Sequence, residues 1–101
     1  MTIRMDVYYR APQDPDAFEK RYIEGHLPLI GKYEKIKSFT FGKVTRVLQG
    51  DYPYAYQFTG TWASKDDCKA DLSSRQAKTA TEDAQQFATQ GFDVVVFEEL
   101  A

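Results

Sequence analysis

The chain has one histidine and one cysteine, His26 and Cys68, far apart in sequence. They cannot supply the four ligands of a structural zinc site, and a lone cysteine closes no intrachain disulfide. Basic runs are also missing: thirteen Lys and Arg are scattered among fifteen Asp and Glu, for a formal net charge of -2. Phosphate-driven nucleic-acid binding therefore lacks its electrostatic term. No apolar run is long enough to cross a bilayer, so no membrane partner is expected. The opening "MTIRMDVYYR" alternates apolar and polar residues, unlike the continuous apolar core of a signal peptide. With no disulfide staple, a cytoplasmic location is the expectation. Gly42, Gly50, Gly60 and Gly91 are isolated and make no phosphate-binding loop.

Aromatic residues, by contrast, are abundant: seven Tyr, seven Phe and one Trp. Such residues fill cores, line small-molecule pockets and anchor dimer interfaces. Ile3, Met5, Val7 and Tyr9 alternate with Arg4, Asp6, Tyr8 and Arg10, which predicts a strand over 2–10. Asp14 caps a helix with Pro15 at its first position, where a missing N–H costs nothing. Phe18, Tyr22, His26, Leu29 and Tyr33 follow at helical spacing on one stripe, so His26 points with the apolar residues. Pro28 cannot donate to the Glu24 carbonyl. It predicts a kink, or a helix end and a short second helix nearby.

"IKSFTFGKVTRVLQ" reads as a second strand, "GDYP" as a short loop, and "YAYQFTGTWAS" as a third strand with Tyr54, Tyr56, Phe58 and Trp62 on one face. Ser64 with Asp67 resembles a capping box opening a helix over 65–76, and Thr79 with Glu82 a second one. The acidic "SKDD" and "TEDA" fit the first turns of helices, where negative charge is favoured. Cys68 takes the place of an inward small hydrophobe, which leaves it outside a Cys–His nucleophile pair. "FDVVVFEEL" closes the chain as a strand. The order β-α-β-β-α-β, in one domain over 1–101, predicts an α+β, ferredoxin-like fold: a four-stranded antiparallel sheet with helices on one face. Large residues on both strand faces predict that a second copy covers the open face. An RNA-recognition domain shares this order, but its basic-Gly-aromatic signature is absent.

The chain resembles the EthD family of the dimeric α/β-barrel superfamily. The resemblance rests on "VYY", "FEKRYIEGHLPLI", "PYAYQFTGTWAS" and "DVVVFEE", with Phe18, Tyr22, His26, Pro28 and Leu29 as its central signature. It implies a homodimer whose two sheets form a barrel, and a pocket between each sheet and its helices. Relatives with this barrel include cofactor-free monooxygenases of polyketide tailoring, muconolactone isomerase and haem-degrading enzymes.

On these grounds His26 is the candidate general acid/base, since an imidazole exchanges protons near neutral pH. Tyr22, one turn earlier, is the group that orients it or a substrate oxygen. Tyr8, Phe39, Phe58 and Trp62 are candidates for the wall around a small apolar or aromatic ligand. No metal and no organic cofactor is called for, and nothing distinguishes haem from any other flat apolar ligand. The expected chemistry is isomerisation, decarboxylation, lactone rearrangement or cofactor-free oxygenation of a planar or cyclic catabolic or polyketide-like intermediate. Two alternatives stand beside it: a dimeric binding protein without turnover, and a structural dimer in which His26 is a core residue bonded to a backbone carbonyl.

Overall fold

Strand alternation and one helix interrupted by a π turn account for most of the architecture. The structure, a computed structural model, describes residues 2–101. Its elements are β1 (Thr2–Arg10), α1 (Pro15–Arg21), a π-helical turn (Tyr22–His26), α2 (Leu27–Ile30), β2 (Ser38–Lys43), β3 (Tyr54–Trp62), α3 (Lys65–Leu72), α4 (Arg75–Phe87) and β4 (Phe92–Glu99). The four strands form one sheet in the order β2-β3-β1-β4. Every neighbouring pair is antiparallel. This is the α+β, ferredoxin-like arrangement expected from the chain, with each helical segment divided.

The first division has a clear cause. The Leu27 N–H donates to the Tyr22 carbonyl, five residues back, which widens the helix over 22–26. The chain then re-enters an α-helix at Leu27 with Pro28 in its first turn, where no N–H is required. A second short helix does start near Pro28, as expected. The distortion itself lies one turn earlier and takes the form of a π turn rather than a proline kink.

Three local expectations are corrected. β2 ends at Lys43, so residues 44–53 form a ten-residue connection in place of the four-residue "GDYP" loop. Ser74, not Thr79, caps α4 by accepting from the Ala77 N–H, and Thr79 lies inside the helix. Asp83 is therefore in the middle of α4, and the dipole of a first turn cannot explain it. Ser64 does cap α3, accepting from the Asp67 N–H.

Helices cover one face of the sheet. Ile3, Met5, Val7 and Tyr9 of β1 and Tyr56, Phe58 and Trp62 of β3 pack there against Phe18, Tyr22, Ile30 and Cys68. Fully burying each large apolar side chain contributes about 1.5–3 kcal/mol relative to leaving it in water. Trp62 donates to Asp71 at 2.7 Å, and Asp71 also accepts the Lys35 N–H at 3.1 Å, so this buried carboxylate ties the α3 end to the chain before β2.

The opposite face is open and more polar than the sequence suggests. Arg4, Tyr8 and Thr59 all donate to Asp6, which is fully buried without any helix above it. Tyr54 joins this face rather than that of Tyr56. Tyr9 pairs with Tyr56 and Arg10 with Tyr54, so Ala55 is an extra residue in β3. That bulge reverses the alternation beyond it.

Candidate functional site

The site is built around the π turn. Four residues apart, His26 and Tyr22 lie on the same side of this widened turn. Here the ring centroids are 4.7 Å apart, and both residues are buried under α4. Tyr22 in turn stacks on Phe41 of β2 at 3.8 Å with an interplanar angle of 7°. Phe87 of α4 packs edge-on to the imidazole at 5.3 Å. These rings fix the plane of His26 between the helix layer and the sheet.

Beside the imidazole lies a cavity of about 250 Å³, lined by His26, Tyr22, Tyr9, Tyr33 and Phe58 among apolar residues of β1, α4 and β4. It is apolar apart from one imidazole and a few hydroxyls, which suits a small organic ligand with few polar groups. The Tyr9 and Tyr22 hydroxyls are 3.0 Å apart, so one donates to the other. Burial pushes the Tyr9 hydroxyl up to about 12 and raises Tyr22 further. Tyr33 is likewise held up at about 12 by burial. All three are neutral hydrogen-bond donors over the physiological range.

The fourth component comes from α4. His26 Nδ1 lies 2.9 Å from Asp83 Oδ2. Arg21 grips the same carboxylate with two nitrogens, one at 3.2 Å and the other in a shorter contact to Oδ1. Burial works to raise the Asp83 carboxyl, but the bonds from Arg21 and His26 outweigh it and hold the group below the usual range. Burial lowers the His26 imidazole, and the Asp83 bond and charge only partly restore it. At neutral pH the pair is thus a carboxylate and a neutral imidazole. A carboxylate only accepts, so Nδ1 carries the proton and Nε2 keeps a free lone pair.

Gly25 has a specific part in this. A Cβ there would sit 2.5 Å from Arg21 Nη1, so the guanidinium crosses the glycine on its way to Asp83.

Of the residues singled out in the sequence, His26, Tyr22 and Phe58 meet at this cavity. Three lie elsewhere. Tyr8 is on the open sheet face beside Tyr52, Tyr54 and Asp6, because adjacent strand residues point to opposite sides. Phe39 stacks behind Phe58 at 6.1 Å and does not reach the cavity. Trp62 is fully buried with its indole committed to Asp71.

Tyr9, Arg21 and Asp83 join the site without having been singled out from the sequence. Tyr9 was signalled by sharing the apolar face of β1 with Ile3, Met5 and Val7. Asp83 was signalled by interrupting the stripe of Ala80, Ala84 and Phe87, where an acid is out of place unless paired. Among the described residues no group of three or more His, Cys, Asp or Glu could hold a metal ion. No helix there is long and apolar enough to cross a membrane.

No protein-family model matches the chain. It is 30% identical over 97 residues to an uncharacterized 11.0 kDa protein of the thcB-thcC intergenic region of Rhodococcus erythropolis, covering 95% of this chain and 93% of that one. Among solved structures, an EthD-family protein from Bacillus halodurans C-125 superposes with a TM-score of 0.90 at 19% identity, covering 99% of this chain and all of that one, 100%. A dimeric ferredoxin-like protein of unknown function from Jannaschia sp. CCS1 gives 0.76 at 16% identity, over 98% and 100% of the two chains. SnoaB, a cofactor-independent oxygenase from Streptomyces nogalater, gives 0.69 at 10% identity, over 99% and 93%.

Proposed function

The chain belongs to one family with the Rhodococcus erythropolis 11.0 kDa protein and has the fold of the EthD-family structure, and from that premise we propose that it is a cofactor-free enzyme acting on a small cyclic organic molecule in the cavity beneath the π turn. His26 is the general acid/base, working through Nε2. Asp83 is a positioning residue that holds the productive tautomer. The observation that carries this is the 2.9 Å contact between His26 Nδ1 and Asp83, a carboxylate behind an imidazole that itself lines an otherwise apolar cavity. A core histidine bonded to a backbone carbonyl would need neither the carboxylate nor Arg21.

The step that suits one base and neighbouring hydroxyls is proton removal next to a carbonyl. Nε2 takes the proton from carbon, the C–H electron pair moves to the carbonyl oxygen, and a tyrosine hydroxyl donates to the developing oxyanion. Tyr22 or Tyr9 fits that donor, since the one not engaged in donating to the other keeps its proton free. Return of the proton to a different carbon completes an isomerisation with nothing else consumed. Support for small-molecule chemistry also comes from the fold shared with SnoaB, itself a cofactor-independent oxygenase.

The same proposal includes a homodimer in which the open sheet faces meet. Tyr8, Tyr54, Val95 and Phe97 would be covered, and the Asp6 cluster, already internally satisfied, loses no hydrogen bond on burial. The Jannaschia relative in fold is dimeric.

The test is thermal unfolding of wild type and His26→Phe with phenols, quinones, lactones and polycyclic aromatics, followed by deuterium exchange at carbon in D2O. A ligand that raises the wild-type midpoint by mass action, and exchanges only when His26 is present, supports the proposal. Binding without exchange in any compound class would reduce the protein to a carrier. Sedimentation that gives a monomer at micromolar concentration would remove the dimer.

A further inference from the structure

A second cavity, of about 390 Å³, adjoins the first. Leu72 lines both. Their floors are also one surface. Met5, Val7 and Tyr9 of β1 floor the His26 cavity, and Ile3, the next inward residue of the same strand, floors the second. On β4, Val94 lines the first and Val96 the second, standing opposite Val7 and Met5 in the sheet. Their β1 partners are 7% exposed, whereas Val94 and Val96 remain 52% and 47% exposed on the helix-facing side. The helices therefore leave Val94 and Val96 of β4 uncovered between the two cavities, along the side of the sheet that leads from the imidazole to its far end. From Tyr9 to Ile3 this stretch spans six residues, roughly 20 Å of strand.

The far end is polar. Lys65 and Lys69, one turn apart on α3, line it together with Cys68 and Leu72 of the same helix. Glu98 is the one acid in the same mouth. Among the described residues neither lysine has an ion-pair partner, as is true of most of the other lysines. Two cations against one carboxylate leave the mouth positive on a protein that is negative as a whole.

We propose that this second cavity and the His26 cavity form one binding site for an elongated, mainly apolar acid. Its reacting carbon sits beneath His26, its chain lies along β1 and β4, and its carboxylate pairs with Lys65 and Lys69. The inference rests on the function proposed above and names its substrate class. Remote binding of the carboxylate gives the enzyme a handle about 20 Å from the chemistry, by which it holds one end and one orientation of a molecule that is otherwise featureless.

The experiment titrates wild type and the Lys65→Gln/Lys69→Gln variant with phenylalkanoic acids of increasing chain length and with the matching alcohols. Affinity is read by calorimetry, and the His26 ring signals by NMR. Both lysines are exposed, so the variant folds. Affinity in wild type should rise about fourfold per methylene. At the length that spans the two cavities the acid should exceed the alcohol by about tenfold, a preference that the double variant loses. Acids and alcohols binding alike, or a preference that survives the double variant, overturns the elongated-acid site. If short phenols still move the His26 signals in that case, the proposed active site stands without it. If no compound moves them, both fall together.

Discussion

Replacing Asp83 by Asn removes one charge and almost no volume. Asp83 accepts from His26 Nδ1 at 2.9 Å and from Arg21 at 3.2 Å, and the His26 side chain is only 5% exposed. A hydrogen bond to a charged group contributes about 1.5–3 kcal/mol when its partner cannot turn to water. The Arg21 side chain is 40% exposed, so its share is at the surface level, below about 1 kcal/mol. Loss of about 1.5–3 kcal/mol lowers the unfolding midpoint by roughly 6–24 °C in a domain of this size. The effect on the imidazole is more specific. The two influences that raise His26 both come from Asp83, while burial and Arg21 push it down. In the variant His26 must therefore titrate at lower pH than in wild type. An Asn amide that donates to Nδ1 also moves the imidazole proton to Nε2, leaving no lone pair toward the cavity. General-base catalysis would then fall by roughly 10²–10⁴ while ligand binding persists. The assay is direct, because the chain has a single histidine and its ring signals need no assignment. A His26 that titrates in Asp83→Asn at or above its wild-type position would refute the account, as would a wild-type ring already protonated on Nε2.

The remaining tests concern pH, the glycine and the buried donors. His26 folds with its pKa below the ordinary 6.5, so the unfolded chain binds the extra proton first. Stability is then greatest above about pH 6.5 and falls as the solution is acidified through the folded pKa, a loss that His26→Gln should abolish in pH-dependent denaturant melts. Asp83, depressed in the fold, adds a second loss of the same sign in the range below the ordinary carboxylate value. Gly25→Ala should cost little stability, because a flexible guanidinium can move aside. It should nevertheless detach Arg21 from Asp83 and change the His26 titration by NMR. Tyr22→Phe keeps the ring on Phe41 but deletes the hydroxyl that meets Tyr9, so it should lower turnover while the folded structure persists by circular dichroism. Trp62→Phe leaves buried Asp71 with the Lys35 N–H bonds alone, and a loss of about 1–3 kcal/mol is expected in urea melts.

Much of the fold is legible along the chain because strand and helix periodicities are local. The alternation of residues 2–10 and the stripe from Phe18 to His26 each identify a buried face without reference to any neighbour. The errors arise where local rules are interrupted. The bulge at Ala55 turns Tyr54 to the open face, and nothing in "YAYQF" reports that β1 offers one residue fewer there. The strand reading of "VTRVLQ" followed β-branched composition, but residues 44–53 are mostly exposed and leave the ladder after Val44 donates to Ala55. Thr79 has the right spacing from Glu82 for a cap, yet Ser74 begins the helix five residues sooner.

By itself the sequence determines the element order, the inward direction of His26 and the apolar character of its surroundings. These depend on residues within a turn or two of one another. The identity of its partners is decided only in three dimensions. Asp83 is 57 residues from His26 and 62 from Arg21, and they meet because α4 docks across the π turn. Tyr9, not Tyr8, reaches Tyr22 for the same reason: the layer packed above a strand selects which of two adjacent side chains joins the site. A titrating group can be read from one position, but its tautomer and basicity belong to the groups that packing brings beside it.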